Sequence, residues 1–344
     1  TCQPKRYART VNLPSVPDEI IALADERAAA RVQRDYRTAD ELKSRIEAAG
    51  WKVIDFGAGY DLEPARPADL SDGERTLYGA VESVPTRLDA PATSPATVIV
   101  VAADDASTEV VVRALNETSP EGTQLLVVTG PDGAVDGDVA EIEVIATAVP
   151  FGAGDALQAA LRRSTGEVIV VLEPMTVPAA DAVTPLLAAL EDPTVAIAAA
   201  HGLHSADLHR YHPVEHGDAT TVASGCYAFR RADIAARGPV DGRLKLPGSV
   251  AAWLGLLLRD EGPDTPPRRA VVIDLPLGTA EAEAALPENH ARLARRDGYH
   301  VADRFRGHRW LAGEEPPQRR LVGDGAEEHD AHDDGHEPDD AAHP

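Results

Sequence analysis

Five histidines fall within 16 residues, His201, His204, His209, His212 and His216, with Glu215 among them. Imidazole nitrogens at such density could ligate zinc. The spacing lacks the paired cysteines or H-E-x-x-H order that fixes a zinc site, so a polar surface loop explains it as well. Glu173 ends the apolar run Val168–Leu172, which puts one carboxylate at the tip of a strand, followed by Pro174 and Met175. Gly152-Ala153-Gly154 opens a helical stretch and offers bare amides to a phosphate, although a tight turn into a helix needs glycine for its own reasons. Arg230 and Arg231 follow the strand Thr221–Phe229 and could support an anion. Cys226 lies inside that strand and reads as a small buried hydrophobe. A nucleophile there would need a histidine partner.

These residues need elements to position them. Val98–Val101, Leu125–Val128, Ile142–Ile145, Val168–Leu172 and Val195–Ile197 are short Val/Ile-rich runs. Helical stretches over Ser107–Thr118, Asp155–Arg163 and Ala179–Leu190 separate several of them. Such alternation predicts an α/β fold with a mainly parallel sheet covered on both faces. Ligands of these sheets bind beyond the strand carboxyl ends. That rule selects residues 102–107, 129–132 and 173–176. A last helical run, Pro287–Trp310, carries six arginines and reads as packing with surface ion pairs.

Upstream, Pro17 to about Tyr36 is a helical stretch. Thr38-Ala39-Asp40-Glu41 has the form of a capping box for a second helix. Ala39, Leu42, Ile46 and Ala49 share one face of that helix, and Gly50 suits its C′ position. Trp51–Phe56 and Tyr60–Leu62 flank Gly57-Ala58-Gly59 as a small β-hairpin. Five prolines between residues 64 and 95 predict a linker.

The chain has 344 residues, 57 acids against 33 Lys and Arg, and a net charge of −24. The imbalance is uneven. Residues 1–62 hold ten of each sign, whereas residues 322–344 hold nine acids and no Lys or Arg. An acidic body and a neutral head argue against a surface that tracks a phosphate backbone. The tail is nearly devoid of apolar residues and is expected to be disordered. Its histidines, His329, His332, His336 and His343, could hold a transition metal loosely. The longest apolar run, Val250–Leu258, is too short for a membrane span. Two cysteines exclude a disulfide framework and suggest a cytoplasmic setting.

Two resemblances emerge. The run Ala28–Arg31, Asp35–Ile46 and Gly50–Asp55 resembles the small C-terminal domain of cysteinyl-tRNA synthetases. In that family the module helps contact tRNA; nothing here resembles the synthetase's nucleotide-binding signatures. The body resembles family-2 nucleotide-sugar glycosyltransferases of the GT-A fold. The likeness rests on Val98–Ala103 with Leu125–Asp132, on Pro150–Leu161, on Ser164–Pro178 at the family's D-x-D strand, and on Ser224–Ile234 with Val240–Leu244.

The second resemblance implies a GT-A domain over 96–311, after an extension over 1–16, a module over 17–63 and a linker over 64–95, and before a tail over 312–344. It implies a nucleotide-sugar donor held by Ala103, Asp104, Asp105, Gly130, Asp132, Gly152 and Glu173, with Arg230 and Arg231 as phosphate support. It also implies Mn²⁺ or Mg²⁺ at Glu173, and a glycan or lipid-linked acceptor. Two elements depart from the family. Met175 replaces the second carboxylate, and a thioether suits a hard cation poorly. No Asp or Glu occurs from Gly242 through Arg259, where the family keeps its base, which leaves Asp241 as the substitute. Three readings follow: a glycosyltransferase, an inactive nucleotide-sugar-binding or scaffold protein, and a tRNA-associated factor acting through residues 17–63. That module could equally dock a protein partner.

Overall fold

The computed structural model describes residues 16–56, 59–65, 67–71, 75–102, 105–131, 133, 142–173, 175–261, 267–279 and 290–305. The extension before 16, the tail, and the candidate residues Ala103, Asp104 and Asp132 lie outside them.

The first elements form a helical hairpin and a β-hairpin. Helix α1 (Asp18–Val32) buries Ile20, Ala24, Arg27 and Ala30, spaced so that they share a face. Helix α2 (Tyr36–Ala48) buries Ala39, Leu42 and Ile46. Ala49, expected on the same face, is the exposed C-cap, and Gly50 follows it at φ +82°. The cap at the other end differs from the expected box. Asp35 is the N-cap, accepting from the Thr38 amide, so α2 starts one turn earlier than the Thr38 motif implied. Strands β1 (Trp51–Phe56) and β2 (Gly59–Pro64) pair antiparallel. Ile20, Ala24, Ile46, Trp51 and Val53 form a core of their own here. Arg27 is buried beside it and grips Asp55 with two hydrogen bonds of 2.8 and 2.9 Å. With help from Arg31, this holds the Asp55 carboxyl down at about 2 despite partial burial.

The segment expected as a linker contributes strands. β3 (Leu70–Ser71) pairs with β4 (Thr76–Tyr78), and β4 joins the main sheet. The body then runs β5 (Ser94–Val101), α3 (Asp105–Thr118), β6 (Gln124–Thr129), β7 (Ile142–Thr147), α4 (Ala153–Arg163), β8 (Gly166–Leu172), β9 (Thr176–Pro178), α5 (Val183–Ala189), β10 (Val195–Ala199), β11 (Gly202–His204), β12 (His212–Val214), β13 (Gly217–Ala219), β14 (Thr221–Val222), β15 (Cys226–Arg230), α6 (Arg231–Arg237), α7 (Pro247–Arg259), β16 (Arg269–Val272), β17 (Leu277–Thr279) and α8 (His290–Phe305).

The main sheet has the order β13-β16-β10-β15-β8-β5-β6-β7-β4-β3. Strands β4 to β8 in this sheet are mutually parallel, as are β10 and β16. β15 runs antiparallel between β8 and β10. One face carries α4, α6, α7 and α8, and the other carries α3 and α5. Helix α7 is apolar on every side and is buried from Val250 to Arg259, as a helix of that composition must be. The α/β class with a mainly parallel sheet covered on both faces is therefore as expected.

Candidate functional site

Chain order and strand order together mark one place in this sheet. From β5 the chain steps outward to β6 and β7, then returns to lay β8 on the other side of β5. The switch point thus lies between β5 and β8, and a crevice opens there beyond the carboxyl ends. Val101 ends β5, and Glu173 follows the last residue of β8. Gly130 follows β6 on the same edge, with open space where a side chain would project. Asp105 is the first residue of α3, after β5.

Glu173 turns inward at this edge. Its amide donates to the Gly225 carbonyl at 2.8 Å, and its own carbonyl accepts from Thr176 at 2.9 Å. Burial pushes its carboxyl up, opposed by hydrogen bonds from the Ser224 hydroxyl and the Gly225 amide. Oε1 is buried and has no hydrogen-bond partner among the described residues. The carboxylate borders a cavity of about 40 Å³ whose other walls include Val101, Leu157, Tyr227, Pro247 and Val250. That is room for about three waters.

The neighbouring glycines have a packing explanation. A Cβ on Gly154 would meet the Asp241 carbonyl oxygen at 2.3 Å, and one on Gly152 would meet the Lys245 side chain at 2.3 Å. The turn before α7 is laid against the start of α4, and Lys245 Nζ binds Asp155 at 3.1 Å and the Gly242 carbonyl at 2.7 Å. Gly152 is therefore covered by a lysine already committed to other partners.

Arg230 and Arg231 lie at the opposite edge from Glu173. The register pairs Arg230 with Val168, near the start of β8, whereas Cys226 pairs with Leu172 at its end. Arg230 donates to the carbonyls of Leu190, Asp192 and Val195. Arg231 donates to those of Arg87 and Ala90. Both guanidiniums anchor turns, which corrects their expected grouping with Glu173. The groove they line, with Leu88, Pro95, Glu167 and Leu190, is likewise remote from the switch point.

Asp241 is also occupied. His300 Nε2 lies 2.5 Å from Oδ2, and Arg243 donates to both carboxylate oxygens at 3.0 and 2.9 Å. Burial alone would push this carboxyl up, but those bonds outweigh it and hold it well below the ordinary range. Such a group is a poor proton acceptor for a hydroxyl.

The histidine-rich segment spreads its imidazoles apart. His204 is buried on β11 with Nδ1 3.2 Å from the Thr220 hydroxyl, while His201, His209 and His212 are exposed. His216 lies 3.4 Å from Asp274. Among the described residues, no group of three or more His, Cys, Asp or Glu side chains gathers to hold a metal, around these histidines or around Glu173. Among the described residues, the donors that the D-x-D position supplies are the Glu173 carboxylate and, two residues on, the Met175 thioether, which do not fit a hard divalent ion. No described helix is long and apolar enough to cross a membrane.

No family model matches the chain. Its N-terminal part is similar to the cysteine–tRNA ligase of Opitutus terrae, 48% identical over 62 residues. Those residues are 18% of this chain, and the match spans only 14% of the ligase. Solved structures similar to the chain are glycosyltransferases. The mannosyltransferase PcManGT from Pyrobaculum calidifontis, in complex with GDP-Man and Mn²⁺, is 16% identical with a TM-score of 0.46, over 87% of this chain and 76% of that one. GalNAc-T7 with UDP, GalNAc and Mn²⁺ is 12% identical with a TM-score of 0.44, over 66% of this chain and half of that one. S. aureus TarS with UDP is 12% identical with a TM-score of 0.41, over 59% and 64%.

Proposed function

We propose that this chain is a glycosyltransferase-like protein that takes a nucleotide sugar at the carboxyl edge of its sheet and does not transfer the sugar by the metal-dependent route. One observation carries the reading: Val101 and Glu173 close β5 and β8 on the two sides of the switch point. Gly130 and Asp105, two of the residues expected in a donor site over 103–105, 130–132 and 173, follow β6 and β5 at the same edge.

Transfer from a nucleoside diphosphate must offset charge on the departing diphosphate and remove a proton from the acceptor hydroxyl. The described residues that should do this are committed elsewhere. Arg230 and Arg231 serve carbonyls at the far edge, Asp241 serves Arg243 and His300, and Glu173 faces an apolar cavity. Binding without turnover, in a cytoplasmic protein of glycan biosynthesis, is the reading that follows. Residues 17–63 would then be a separate docking module for a protein partner. A transferase with a glycan or lipid-linked acceptor is the competing reading.

Calorimetry with UDP- and GDP-sugars, with and without Mn²⁺, tests this, followed by an assay for released UDP or GDP. The expected result is binding that is insensitive to Mn²⁺, with no nucleotide release above background. Absence of binding to any nucleotide sugar overturns the donor site; Mn²⁺-stimulated release restores the transferase.

A further inference from the structure

The strand-end carboxylate is fastened to three pieces of the fold. Backbone hydrogen bonds join Glu173 to Gly225 and to Thr176. The carboxylate accepts from Ser224 and Gly225. The Ser224 hydroxyl faces the start of α7, where a Cβ on Gly248 would come within 3.8 Å of it. Gly225 sits at φ +116°, a conformation that L side chains rarely adopt, which lets its backbone close on Glu173. The Oε1 oxygen is buried with no hydrogen-bond partner among the described residues, and Glu173 lines the small apolar cavity.

A divalent ion of the Mg²⁺ type keeps several waters and a near-octahedral set of oxygens. The space that Glu173 borders is narrow, about 40 Å³, and walled mainly by apolar side chains. Among the described residues its walls offer no second carboxylate, and the one other polar side chain there is the Tyr227 phenol.

We infer that Glu173 is an internal clasp joining the end of β8 to the Ser224–Gly225 turn and, through Ser224, to the start of α7, and that it is not a ligand for a divalent cation. The inference does not rest on the nucleotide-sugar reading, because Mn²⁺ alone is the probe. The full chain and its Glu173→Gln, Glu173→Ala and Met175→Asp variants are titrated with Mn²⁺, followed by the electron paramagnetic resonance of the free ion, and melted without metal. Glu173→Gln keeps an oxygen that can accept from Ser224 and Gly225. It is expected to melt within about 2 °C of the wild type, whereas Glu173→Ala loses the clasp and melts about 5 °C lower or more. Mn²⁺ uptake is expected to be the same in wild type and Glu173→Gln, so that any uptake by histidines elsewhere cancels. Met175→Asp should not increase it. Mn²⁺ uptake that is present in the wild type and lost in Glu173→Gln overturns the inference. So does a Glu173→Ala variant that melts with the wild type.

Discussion

Asp297 on α8 accepts a hydrogen bond from the backbone amide of Lys245 at 2.7 Å, and the same oxygen accepts from Leu246 at 3.1 Å. Leu246 is the N-cap of α7 and supplies no side-chain cap of its own. A carboxylate 52 positions beyond Lys245 therefore takes the N-cap amide, the role that a Glu at the third helical position plays in a capping box. It also ties α8 to the turn that covers the start of α4.

Asp297 is 1% exposed, and its loss leaves two half-buried amides without their acceptor. Asp297→Ala should cost about 3 kcal/mol. Asp297→Asn, which retains an acceptor, should recover part of it. The urea midpoints of the two variants check this.

The Asp241–His300 contact predicts a pH dependence. A carboxyl held below its unfolded value contributes stability that is fully present above that value, near pH 4, and is lost as pH falls through the folded value. Wild-type stability should therefore fall on acidification from about pH 4 downward. Asp241→Asn should be less stable at pH 7 by about 2 kcal/mol and should show a flatter decline below pH 4. Urea unfolding at pH 7, 4 and 3 reads both effects. An identical acid slope in the two proteins would refute the assignment.

Cys226 predicts chemical silence. It is 1% exposed on β15, and burial pushes its thiol up to about 12. Thiolate is the reactive form, so at pH 8 a Cys2→Ser variant should show no thiol that reacts with Ellman's reagent until it is denatured. One rapidly titrating thiol in the native variant would contradict the packing of β15.

The strands of the body were legible because runs such as Val168–Leu172 have no reading on a soluble surface other than burial on both faces. β4 and β15 show what such runs miss. β4 is three residues long amid prolines and glycines, too short to carry a period. The reversed direction of β15 is a property of pairing, which no single strand encodes. The capping motif shows a similar limit: Asp35 and Thr38 are both competent caps three residues apart, and the geometry of the preceding turn, with Arg34 at φ +61°, selects Asp35.

The candidate site was legible as a location but not as chemistry. Glu173 could be placed at a carboxyl end from the run before it. Its inward aim depends on Ser224 and Gly225, some fifty residues away. Arg230 and Arg231 followed a strand and looked available for an anion. Their partners are main-chain oxygens of turns, groups that every sequence possesses and none advertises. The Asp241–His300 pair was invisible for the same reason, since α8 and the turn before α7 meet only in three dimensions.

The pairing of β4 with β7 has a practical corollary for anyone dividing this chain. Leu77 and Tyr78 line up with Ala146 and Thr147, so a stretch preceding the first central strand closes the flank of the sheet. A fragment beginning at Pro95 would keep every helix of the body yet strip β7 of that neighbour. A bare row of amides and carbonyls recruits strands from other molecules. Such a fragment should self-associate, and the shortest well-behaved body starts before Leu70.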